Sequence, residues 1–579
     1  MPAVSPPLRQ VLMLDRIDSL YSELAAGSGD TFFEKLLEKL NVSTQVTNAD
    51  LERIPKTGPV MIVANHPFGF LEGAILSVML SRIRPDVKIM ANSLLSHFPA
   101  VRDQFIFVNP FGTQEAKREN LRGLRESVEH LRNGGLLVVF PAGEVAHVNL
   151  REQSITDPPW SETIARILRL TRASAVPVFF SGANSPAFHL LGMLHPRLRT
   201  AMLPHEFFNK QDRTIEVRIG AAIAGAKLSG FRTDREAIDH LRHRTYLLRH
   251  RKMASLRRNP TGRQEAVVAP VEPALMEAEV ARLSADRKLD QMGCTAVYYA
   301  AAHEIPNVLR EIGRLREITF REAGEGTGNA IDLDAFDSYY LHLFLWNRET
   351  RQIAGAYRMG ATDVISRVFG YKGLYTNTLF DYRPEFLDRV GTALELGRSF
   401  VRQEYQKSFT PLLLLWKGIA GYIARHPQYK TVFGPVSISN DYQPVSRQLM
   451  VTYFEQHRKQ SGWSSLLKAR SPFRRKPLRE ADSMREWDIE DLSAVVADLE
   501  TDQKGIPILL RQYLKLGGQL LDFNVDREFS DALDGLILVD LTRTDEKMLQ
   551  RYMGKENARR FFAWHGKEEE RGSPQQTAA

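Results

Sequence analysis

Short apolar runs alternate with helical stretches twice along this chain, and a segment of different composition separates the two series. The first series extends from Pro59 to about Gly230, and the second extends from Ala296 to about Asp540. Several apolar runs end in Gly, Pro or Asn, as strands do in layered α/β proteins. Between the series, residues 251–278 are rich in Arg, Pro, Ala and Glu, which is typical of a linker. The sequence therefore predicts an α/β protein of two domains.

The chain has 579 residues, too many for a single hydrophobic core, which supports this division. In the first series, apolar residues recur at helical spacing between Glu115 and Arg132 and predict a helix there. The candidate strands of this series are Val60–Ala64, Phe105–Val108, Leu136–Phe140, Val176–Ser181 and Ile215–Ile219. The predicted organisation is a helical region at 1–44, a first domain at 45–250, a linker at 251–280, a second domain at 281–565 and a disordered tail at 566–579.

Basic residues exceed acidic ones, and the excess is concentrated in two runs. The formal net charge is +8, and the runs are Arg232–Arg263, with ten basic residues and three acids, and Lys468–Arg479, with six basic residues and no acid. Such runs attract anionic lipid, acidic proteins or nucleic acid, and they also occur as solvated linkers. We expect no nucleic-acid binding, because no motif for it occurs and aromatic residues do not interleave with the runs.

Cysteine usage and hydropathy indicate the compartment. The single cysteine, Cys294, allows no internal disulfide, and no residues are spaced as a zinc cluster. No apolar run approaches the roughly 20 residues of a spanning helix. Residues 1–10 lack the charged and apolar regions of a signal peptide. These features predict a soluble cytoplasmic protein with no metal site.

The first candidate site lies where a predicted buried strand ends, at Val60-Met-Ile-Val-Ala-Asn-His66-Pro-Phe-Gly-Phe-Leu-Glu72. A histidine near its ordinary pKa accepts a proton from a hydroxyl, and a nearby carboxylate holds its tautomer and stabilises the imidazolium. Ligands of α/β proteins commonly bind at the carboxyl ends of strands. A structural histidine is the alternative interpretation. Further along, Phe140-Pro-Ala-Gly-Glu144 and Val176-Pro-Val-Phe-Phe180 also lie in or after apolar runs.

The order and spacing of these segments resemble the glycerolipid acyltransferase family over residues 45–250. The resemblance implies that His66 removes the proton of an acceptor hydroxyl, which then attacks an acyl thioester, while Glu72 orients His66. Backbone N–H groups would stabilise the oxyanion. The resemblance also implies that flanking residues contact the substrate, namely Asn65, Gly69, Pro141, Gly143 and Glu144.

The sequence departs from that family at several positions. The carboxylate is Glu rather than Asp and lies six positions after His66, and Ala142 replaces the usual Glu of the third segment. The phosphate-contacting arginine is missing from Phe105–Gly112, although Lys117 and Arg118 follow. We interpret the missing arginine as an indication that the acceptor is an alcohol other than a glycerol phosphate. A lysophospholipid acceptor and a membrane-binding protein with an inactive site are the alternatives.

The second candidate site consists of charged residues embedded in apolar, strand-like sequence. An amine must lose a proton before it attacks a thioester, so a buried carboxylate is a reasonable base. A salt-bridge network between strands is the alternative from the residues alone. The residues concerned are Arg316, Phe320, Asp334, Asp337, Arg358, Glu395 and Arg398.

This pattern is similar to the acyl-carrier-protein-dependent branch of the GNAT superfamily, which includes the first acyltransferases of ornithine-lipid synthesis, over residues 290–545. The resemblance implies Glu395 as the catalytic base, with Arg316, Asp334, Asp337, Arg358 and Arg398 in substrate binding. Gln406–Thr410 stands at the place of the pyrophosphate-binding loop of ordinary GNAT enzymes and contains no glycine. We therefore expect acyl carrier protein, an acidic partner, as the donor, and no cofactor besides the acyl thioester.

The whole chain resembles bifunctional aminolipid synthases, in which a hydroxyl-acylating domain precedes an amine-acylating one. The resemblance implies that the second domain attaches a 3-hydroxyacyl group to an amino acid. The first domain then esterifies the hydroxyl of this lyso-lipid acceptor, with an acyl carrier protein or coenzyme A thioester as donor. We expect the enzyme to lie peripherally on the cytoplasmic face of the membrane, where its basic runs meet anionic lipid.

Overall fold

A computed structural model describes residues 13–25, 29–109, 114–149, 154–251, 264–458, 462–463, 465–475, 484 and 487–566. The chain divides into two compact units, Met1–Met253 and Ala254–Ala579. Both units combine helices with a mixed sheet, as expected of two α/β domains. In the part of the chain that is described, no helix combines the length and the apolar character needed to cross a bilayer.

The first unit is built on one sheet of seven described strands in the order β1-β9-β8-β2-β5-β3-β4. All pairs are parallel except β8 with β9. The strands of this unit, including a small separate pair β6 and β7, are β1 Ser43–Gln45, β2 Val60–Ala64, β3 Val87–Asn92, β4 Phe105–Val108, β5 Leu136–Val139, β6 His147–Asn149, β7 Ser154–Thr156, β8 Ser174–Phe180 and β9 Thr214–Ile219. The predicted strands of the first series are thus present.

The helices of the first unit cover both faces of this sheet, so its central strands are buried on both sides and consist of continuous apolar runs. They are α1 Leu14–Leu24, α2 Gly29–Lys39, α3 Asn48–Leu51, α4 Phe70–Ser81, α5 Gln114–Arg132, α6 Glu162–Thr171, α7 Pro186–Leu194, α8 Pro196–Phe208, α9 Gly225–Ser229 and α10 Asp234–Leu247. Strand β2 lies between β8 and β5, and every residue in it is buried. Its carboxyl end leads directly into the loop that carries His66.

The second unit contains a sheet of eight described strands in the order β10-β11-β12-β13-β15-β16-β19-β18. Its pairs are antiparallel except β15 with β16. All residues of β15 and β16 are described, and the two strands pair only between Ala393–Glu395 and Thr431–Phe433. Beyond these residues the two strands diverge. The strands are β10 Lys288–Met292, β11 Thr295–Ala301, β12 Leu341–Asn347, β13 Gln352–Ala361, β14 Phe380–Tyr382, β15 Ala393–Val401, β16 Thr431–Ile438, β17 Leu467–Ala469, β18 Gln519–Asp526 and β19 Ala532–Asp540, with β14 and β17 forming a separate pair.

Helices pack on both faces of this second sheet and carry much of its apolar core. They are α11 Pro273–Arg282, α12 Pro306–Glu322, α13 Thr362–Phe369, α14 Pro384–Val390, α15 Thr410–Arg425, α16 Pro444–Arg458, α17 Ile489–Leu499, α18 Ile508–Lys515, α19 Glu546–Met553 and α20 Lys555–Trp564. Helix α12 is amphipathic, and the polar residue Arg316 on it is as fully buried as its apolar neighbours. A charge at such a position needs a partner, which Asp337 in the turn before β12 supplies.

The segment predicted as a linker, 251–280, is only partly a linker. Helix α11 lies in it and buries Met276 and Val280, and the Val268 backbone N–H donates to the Ala330 carbonyl at 3.0 Å. These residues belong to the second unit because they bury apolar surface there. Most of the run between Arg251 and this segment, residues 252–263, lies outside the described residues, as does most of the predicted tail, 567–579.

The basic run Arg232–Arg263 is not one solvated surface. Arg244 and Arg251 in it are buried, and the Arg251 guanidinium donates to Asp50 at 2.5 Å. A buried guanidinium with a carboxylate partner holds the fold together and is not available to anionic lipid. The prediction of membrane attachment through this run is therefore wrong for Arg251.

Candidate active sites

The loop after β2 places a carboxylate at the amino end of α4. Gly69 caps this helix with φ of +114°, a conformation that favours glycine because it has no Cβ. The Phe68 and Gly69 backbone N–H groups donate to Glu72 Oε1 at 2.6 and 3.2 Å. These two hydrogen bonds fix the conformation of the loop at Gly69. Glu72 is fully buried and lies in the first turn of α4, where the helix N-terminus interacts favourably with a carboxylate.

His66 lies beside this carboxylate. Its Nδ1 is 3.3 Å from Glu72 Oε1, and its ring stacks on Phe140, the residue after β5, at 4.4 Å between centroids. A carboxylate beside Nδ1 favours the tautomer that carries its proton there, which leaves the Nε2 lone pair to accept a proton. The side chain is 17% exposed, so a substrate hydroxyl has access to a ring that is otherwise enclosed. The sequence-predicted pair is therefore brought together.

A second carboxylate, Asp157, supports the histidine from the backbone side. Its Oδ1 accepts the His66 N–H at 3.1 Å, and its Oδ2 accepts the Trp160 indole N–H at 3.0 Å. The Tyr246 hydroxyl accepts the Asp157 N–H at 2.7 Å. Burial raises the pKa of Asp157, although these donors and His66 oppose the rise. Sequence reasoning missed Asp157 because it lies 91 residues from His66.

The charge environment favours the imidazolium form. Burial alone would lower the pKa of His66, but the nearby Glu72 carboxylate and, less strongly, Asp157 more than offset it. The pKa of His66 is therefore raised above its ordinary value. An imidazole whose charged form is stabilised in this way can take up a proton during a reaction and release it again.

The other residues predicted to bind substrate at this site have structural partners. Asn65 bridges to β8, because Phe180 N–H donates to Asn65 Oδ1 at 2.7 Å and Asn65 Nδ2 donates to the Phe180 carbonyl at 3.0 Å. The Pro141 carbonyl accepts the Ser161 N–H at 2.9 Å. These contacts fix the loops around His66. Substrate binding by Asn65 and Pro141 stays a prediction.

The turn after β5 borders the His66 site on a second side. Gly143 adopts φ of +68°, and its N–H donates to the Phe140 carbonyl at 3.0 Å, which closes the turn. Glu144 is exposed and accepts from the Arg199 guanidinium on α8 at 2.7 Å. The Ala146 N–H donates to the His66 carbonyl at 2.8 Å, so this turn and the histidine loop are joined directly.

In the second unit, the carboxylate predicted as the base is saturated with hydrogen bonds. Glu395 is buried in β15, and one oxygen accepts from the Thr376 N–H at 2.7 Å and from the Thr376 hydroxyl. The other oxygen accepts from the Tyr340 hydroxyl and from the Tyr375 N–H at 3.1 Å. A carboxylate that already accepts four hydrogen bonds has no oxygen lone pair left for a substrate proton. This occupancy disfavours the predicted role of Glu395 as base and gives it the role of anchoring the segment at Tyr375.

The remaining predicted residues form one cluster of ion pairs. Arg316 donates to Asp337 at 2.8 Å, and Arg358 donates to Asp334 at 2.6 Å and lies 3.3 Å from Asp337. Burial would raise the pKa of Asp337, but Arg316 and Arg358 lower it far below its ordinary value. Asp337 is therefore a poor base as well. The alternative of a salt-bridge network thus describes part of this site correctly.

Arg398 on β15 lies beside two carboxylates of this cluster. It has φ of +47° at an irregularity in the pairing of β15 with β13, a bulge that redirects its side chain. Its Nη2 lies 3.7 Å from Asp334, and its Nε lies 3.7 Å from Asp332 without a hydrogen-bond partner among the described residues. Its guanidinium also faces the ring of Tyr375 at 5.1 Å.

Asp332 differs from the other carboxylates of this cluster. It is buried, and no described residue donates a hydrogen bond to its Oδ2. Burial raises its pKa, although Arg398, Arg316 and Arg358 oppose the rise. A carboxylate with a free lone pair and a raised pKa has the properties of a proton acceptor. Asp332 lies two positions before Asp334 in the sequence. Its burial, and the lack of a described donor to its Oδ2, depend on the fold and could not be seen in the sequence.

Comparison with known families identifies both units. The family described as Acyltransferase matches residues 33–255, and the family described as Acetyltransferase (GNAT) domain matches residues 315–416. The chain combines an acyltransferase domain with a GNAT domain. The acyltransferase match begins before residue 45, in agreement with α2, whose Phe33, Leu36 and Leu37 are buried in the core of that domain.

Several curated proteins are similar to parts of the chain. A glycine N(alpha)-acyltransferase of Bacteroides thetaiotaomicron is 35% identical over 33% of this chain and 60% of its own length. A lyso-glycine lipid O-acyltransferase of the same organism is 26% identical over 42% of this chain and 88% of its own. An L-ornithine N(alpha)-acyltransferase of Brucella abortus is 27% identical over 39% of this chain and 76% of its own. The chain thus spans about 60% of the glycine N(alpha)-acyltransferase.

The GNAT match includes every ion-paired arginine of the second cluster, and the acyltransferase match includes both His66 and Asp157. Among the described residues, no group of His, Cys, Asp or Glu side chains is arranged to hold a metal ion.

Proposed function

We propose that the chain makes a diacylated aminolipid in two successive acyl transfers, one in each domain. The GNAT domain transfers a 3-hydroxyacyl group from acyl carrier protein to the amine of an amino acid. The acyltransferase domain then acylates the 3-hydroxyl of this lyso-aminolipid. The observation that carries the proposal is the placement of an imidazole and carboxylate pair in one domain and a buried arginine and carboxylate cluster in the other.

In the first step, the amine nitrogen attacks the thioester carbonyl, a C–N bond forms and the C–S bond breaks. The ammonium must first lose a proton, and we assign this proton to Asp332, whose Oδ2 has no donor among the described residues. After the attack, the nitrogen loses a second proton to the leaving thiolate, which departs as the thiol, and Asp332 returns its proton to solvent. The Nε–H of Arg398, 3.7 Å from Asp332, is available to the carboxylate of the amino acid. Glu395 acts as a positioning residue that fixes the segment at Tyr375.

In the second step, the 3-hydroxyl loses its proton to His66 Nε2 as its oxygen attacks the second acyl thioester. The imidazolium that forms lies beside Glu72, 3.3 Å from Nδ1, which compensates its charge. When the C–S bond breaks, the leaving thiolate takes the proton from His66. An ester replaces the hydroxyl, and the histidine returns to its neutral form without net change.

The proposed donor, acceptor and location follow from charge and from the relatives. Acyl carrier protein is acidic, and the chain has a formal net charge of +8. The relatives are named for glycine and for ornithine, so the amino acid is either of these or one close to them. We place the enzyme at the cytoplasmic surface of the membrane, where its lipid product enters the bilayer.

Mass spectrometry of total lipids from cells with and without the gene tests this proposal. The expected result is a new lipid that releases one fatty acid under mild alkali and keeps a second, 3-hydroxylated chain in amide linkage. Purified protein supplied with acyl carrier protein thioesters and either glycine or ornithine then identifies the head group. New phosphatidic acid without any aminolipid would instead support a lysophospholipid acyltransferase. No acyl transfer by the purified protein would leave only a membrane-binding role.

A further inference from the structure

The turn between α7 and α8 exposes an unusual amount of apolar surface. Seven large apolar side chains are exposed in the described part of the first unit, and four of them lie in the nine residues 190–198 that contain this turn. These four are Leu190, Met193, Leu194 and Leu198, which are 59, 51, 77 and 43% exposed. We call this surface the helical tip. Exposed apolar side chains concentrated in this way mark an interaction surface.

The base of this helical pair is fixed. Glu206 on α8 is fully buried and accepts from the Ser185 N–H at 3.0 Å and from the Ser185 hydroxyl, at the amino end of α7. Lys210 donates to the same carboxylate at 3.3 Å. The two helices are also close at Gly192, where an added Cβ would meet the Arg199 side chain at 3.2 Å. These contacts therefore fix the two helices that carry the helical tip.

The same helices border the His66 site. Leu203 on α8 lies against Gly69, 3.5 Å from the position that a Cβ would take there, and Gly69 holds Glu72. Arg199 pairs with Glu144 in the turn after β5 at 2.7 Å. The exposed tip thus continues directly into the two loops that surround His66.

Charge on this segment restricts what the tip can contact. Residues 186–199 contain two arginines, two histidines and no acid, and Glu144, the carboxylate beside them, is paired with Arg199. Because this segment contains no carboxylate, its exposed apolar side chains meet no repulsion from the anionic headgroups of a membrane.

We propose that the helical tip inserts into the bilayer surface and places the His66 site where a lyso-lipid acceptor leaves the membrane. The proposal rests on the acylation of a lipid hydroxyl proposed above, because only such an acceptor requires the site to meet the bilayer. It replaces attachment through Arg251, which is buried, with attachment through an apolar surface.

A single fluorescent label tests the insertion. Cys294 is the only cysteine, so the full chain with Cys294→Ser and Leu194→Cys carries one thiol for an environment-sensitive dye. On addition of vesicles of neutral and anionic phospholipid at high salt, we expect a blue shift and an increase in emission. The matched control is Leu170→Cys in the same background, because Leu170 on α6 is 57% exposed but lies outside the tip. Its emission should not change.

A second measurement uses vesicle flotation. Leu190→Gln with Leu194→Gln should reduce the bound fraction about tenfold at high salt, where apolar contacts dominate, whereas Leu121→Gln with Leu170→Gln should not. Equal emission from the labels at 194 and 170 would overturn the proposal. The proposal would also be overturned if the emission at position 194 changed with protein concentration in the absence of vesicles. That result would identify a second copy of the chain as the partner that covers the tip.

These readouts need no turnover, so they separate this proposal from the proposed function. His66→Ala should bind vesicles as the unchanged chain does. An inactive enzyme that still inserts its tip would overturn only the reaction, and an active enzyme whose tip stays in water would overturn only the insertion.

Discussion

The two domains use a buried carboxylate in different ways. Glu72 in the acyltransferase domain has one oxygen bound by two backbone N–H groups and lies beside an imidazole that completes the site. Glu395 in the GNAT domain has both oxygens bound, by two hydroxyls and two backbone N–H groups, and lies beside no imidazole. Both residues stand in motifs that suggest catalysis.

The difference teaches that the partners of a carboxylate, and not its motif, determine whether it can move a proton. Glu72 interacts with the imidazole and with the helix N-terminus and accepts no substrate proton itself. A base needs an oxygen without a donor, which Asp332 has among the described residues and Glu395 does not. The predictions below examine this contrast.

Replacement of His66 by Ala should have the largest effect. It removes the proton acceptor of the ester step, so ester formation should fall by about 10²–10⁴-fold while amide formation continues. Liquid chromatography with mass spectrometry should then find the mono-acylated aminolipid accumulating in cells. A control is His189→Ala, which removes another buried histidine of the same domain, one that does not belong to the pair of His66 and Glu72. Loss of both products in the His66 variant would contradict the assignment of one step to each domain.

The second comparison sets Asp332→Asn against Glu395→Gln. Asp332→Asn should slow amide formation about 10²-fold with little change in melting temperature, because no described donor binds its Oδ2. Glu395→Gln brings an NH₂ group against existing donors and should destabilise the GNAT domain by about 1–3 kcal/mol. Amide formation and thermal unfolding are measured on both purified variants.

The opposite pattern would favour the role first predicted from the sequence. If Glu395→Gln abolishes amide formation with an unchanged melting temperature, while Asp332→Asn remains active, then Glu395 is the base. Tyr340→Phe serves as a control for anchoring, since it removes one donor to Glu395 and leaves the carboxylate in place.

Glu72→Gln should have a smaller effect, visible as a change in pH dependence. The Glu72 carboxylate raises the pKa of His66, so its removal lowers that pKa. His66 acts as a base only when neutral, and ester formation in the variant should therefore reach half its maximum at lower pH. The raised pKa also stabilises the fold below the ordinary histidine pKa of about 6.5, and this stabilisation is lost as pH rises through the folded value. The variant should thus lose most stability at acidic pH.

An unchanged midpoint of the ester rate would mean that Glu72 does not interact with the imidazolium. Gln keeps an oxygen to accept the Phe68 and Gly69 N–H groups, so the loop should remain folded. Circular dichroism of the variant at neutral pH serves as the control for that assumption.

The sequence allowed prediction of those features that depend on neighbours in the chain. Continuous apolar runs predict β2 and β5 because both strands are buried on two faces. Glu72 could be paired with His66 because one loop and the first turn of α4 separate them. The resemblance implied a substrate-binding role for four residues of the second site, and the residues alone left a salt-bridge network open. In the fold, Arg316 pairs with Asp337 and Arg358 pairs with Asp334.

Features that depend on distant contacts could not be predicted. Asp157 reaches His66 from β7, and Thr376 and Tyr340 reach Glu395 across the fold of the GNAT domain. The burial of Arg251 depends on Asp50, 201 residues earlier, so a basic run in the sequence was taken for a surface. In each case the deciding partner is remote, and no spacing in the sequence records it.

Mixing two impaired variants tests the central claim, that two separate sites act in sequence through a mono-acylated aminolipid. His66→Ala makes the amide but little ester, and Asp332→Asn retains the His66 site but makes little of its acceptor. When the two purified variants are incubated together with vesicles, acyl carrier protein thioesters and the amino acid, they should form the diacylated lipid about 10²-fold faster than either variant does alone. If the mixture accumulates the mono-acylated lipid and still forms no ester, the two sites do not share a diffusing intermediate and the proposed sequence of reactions is wrong.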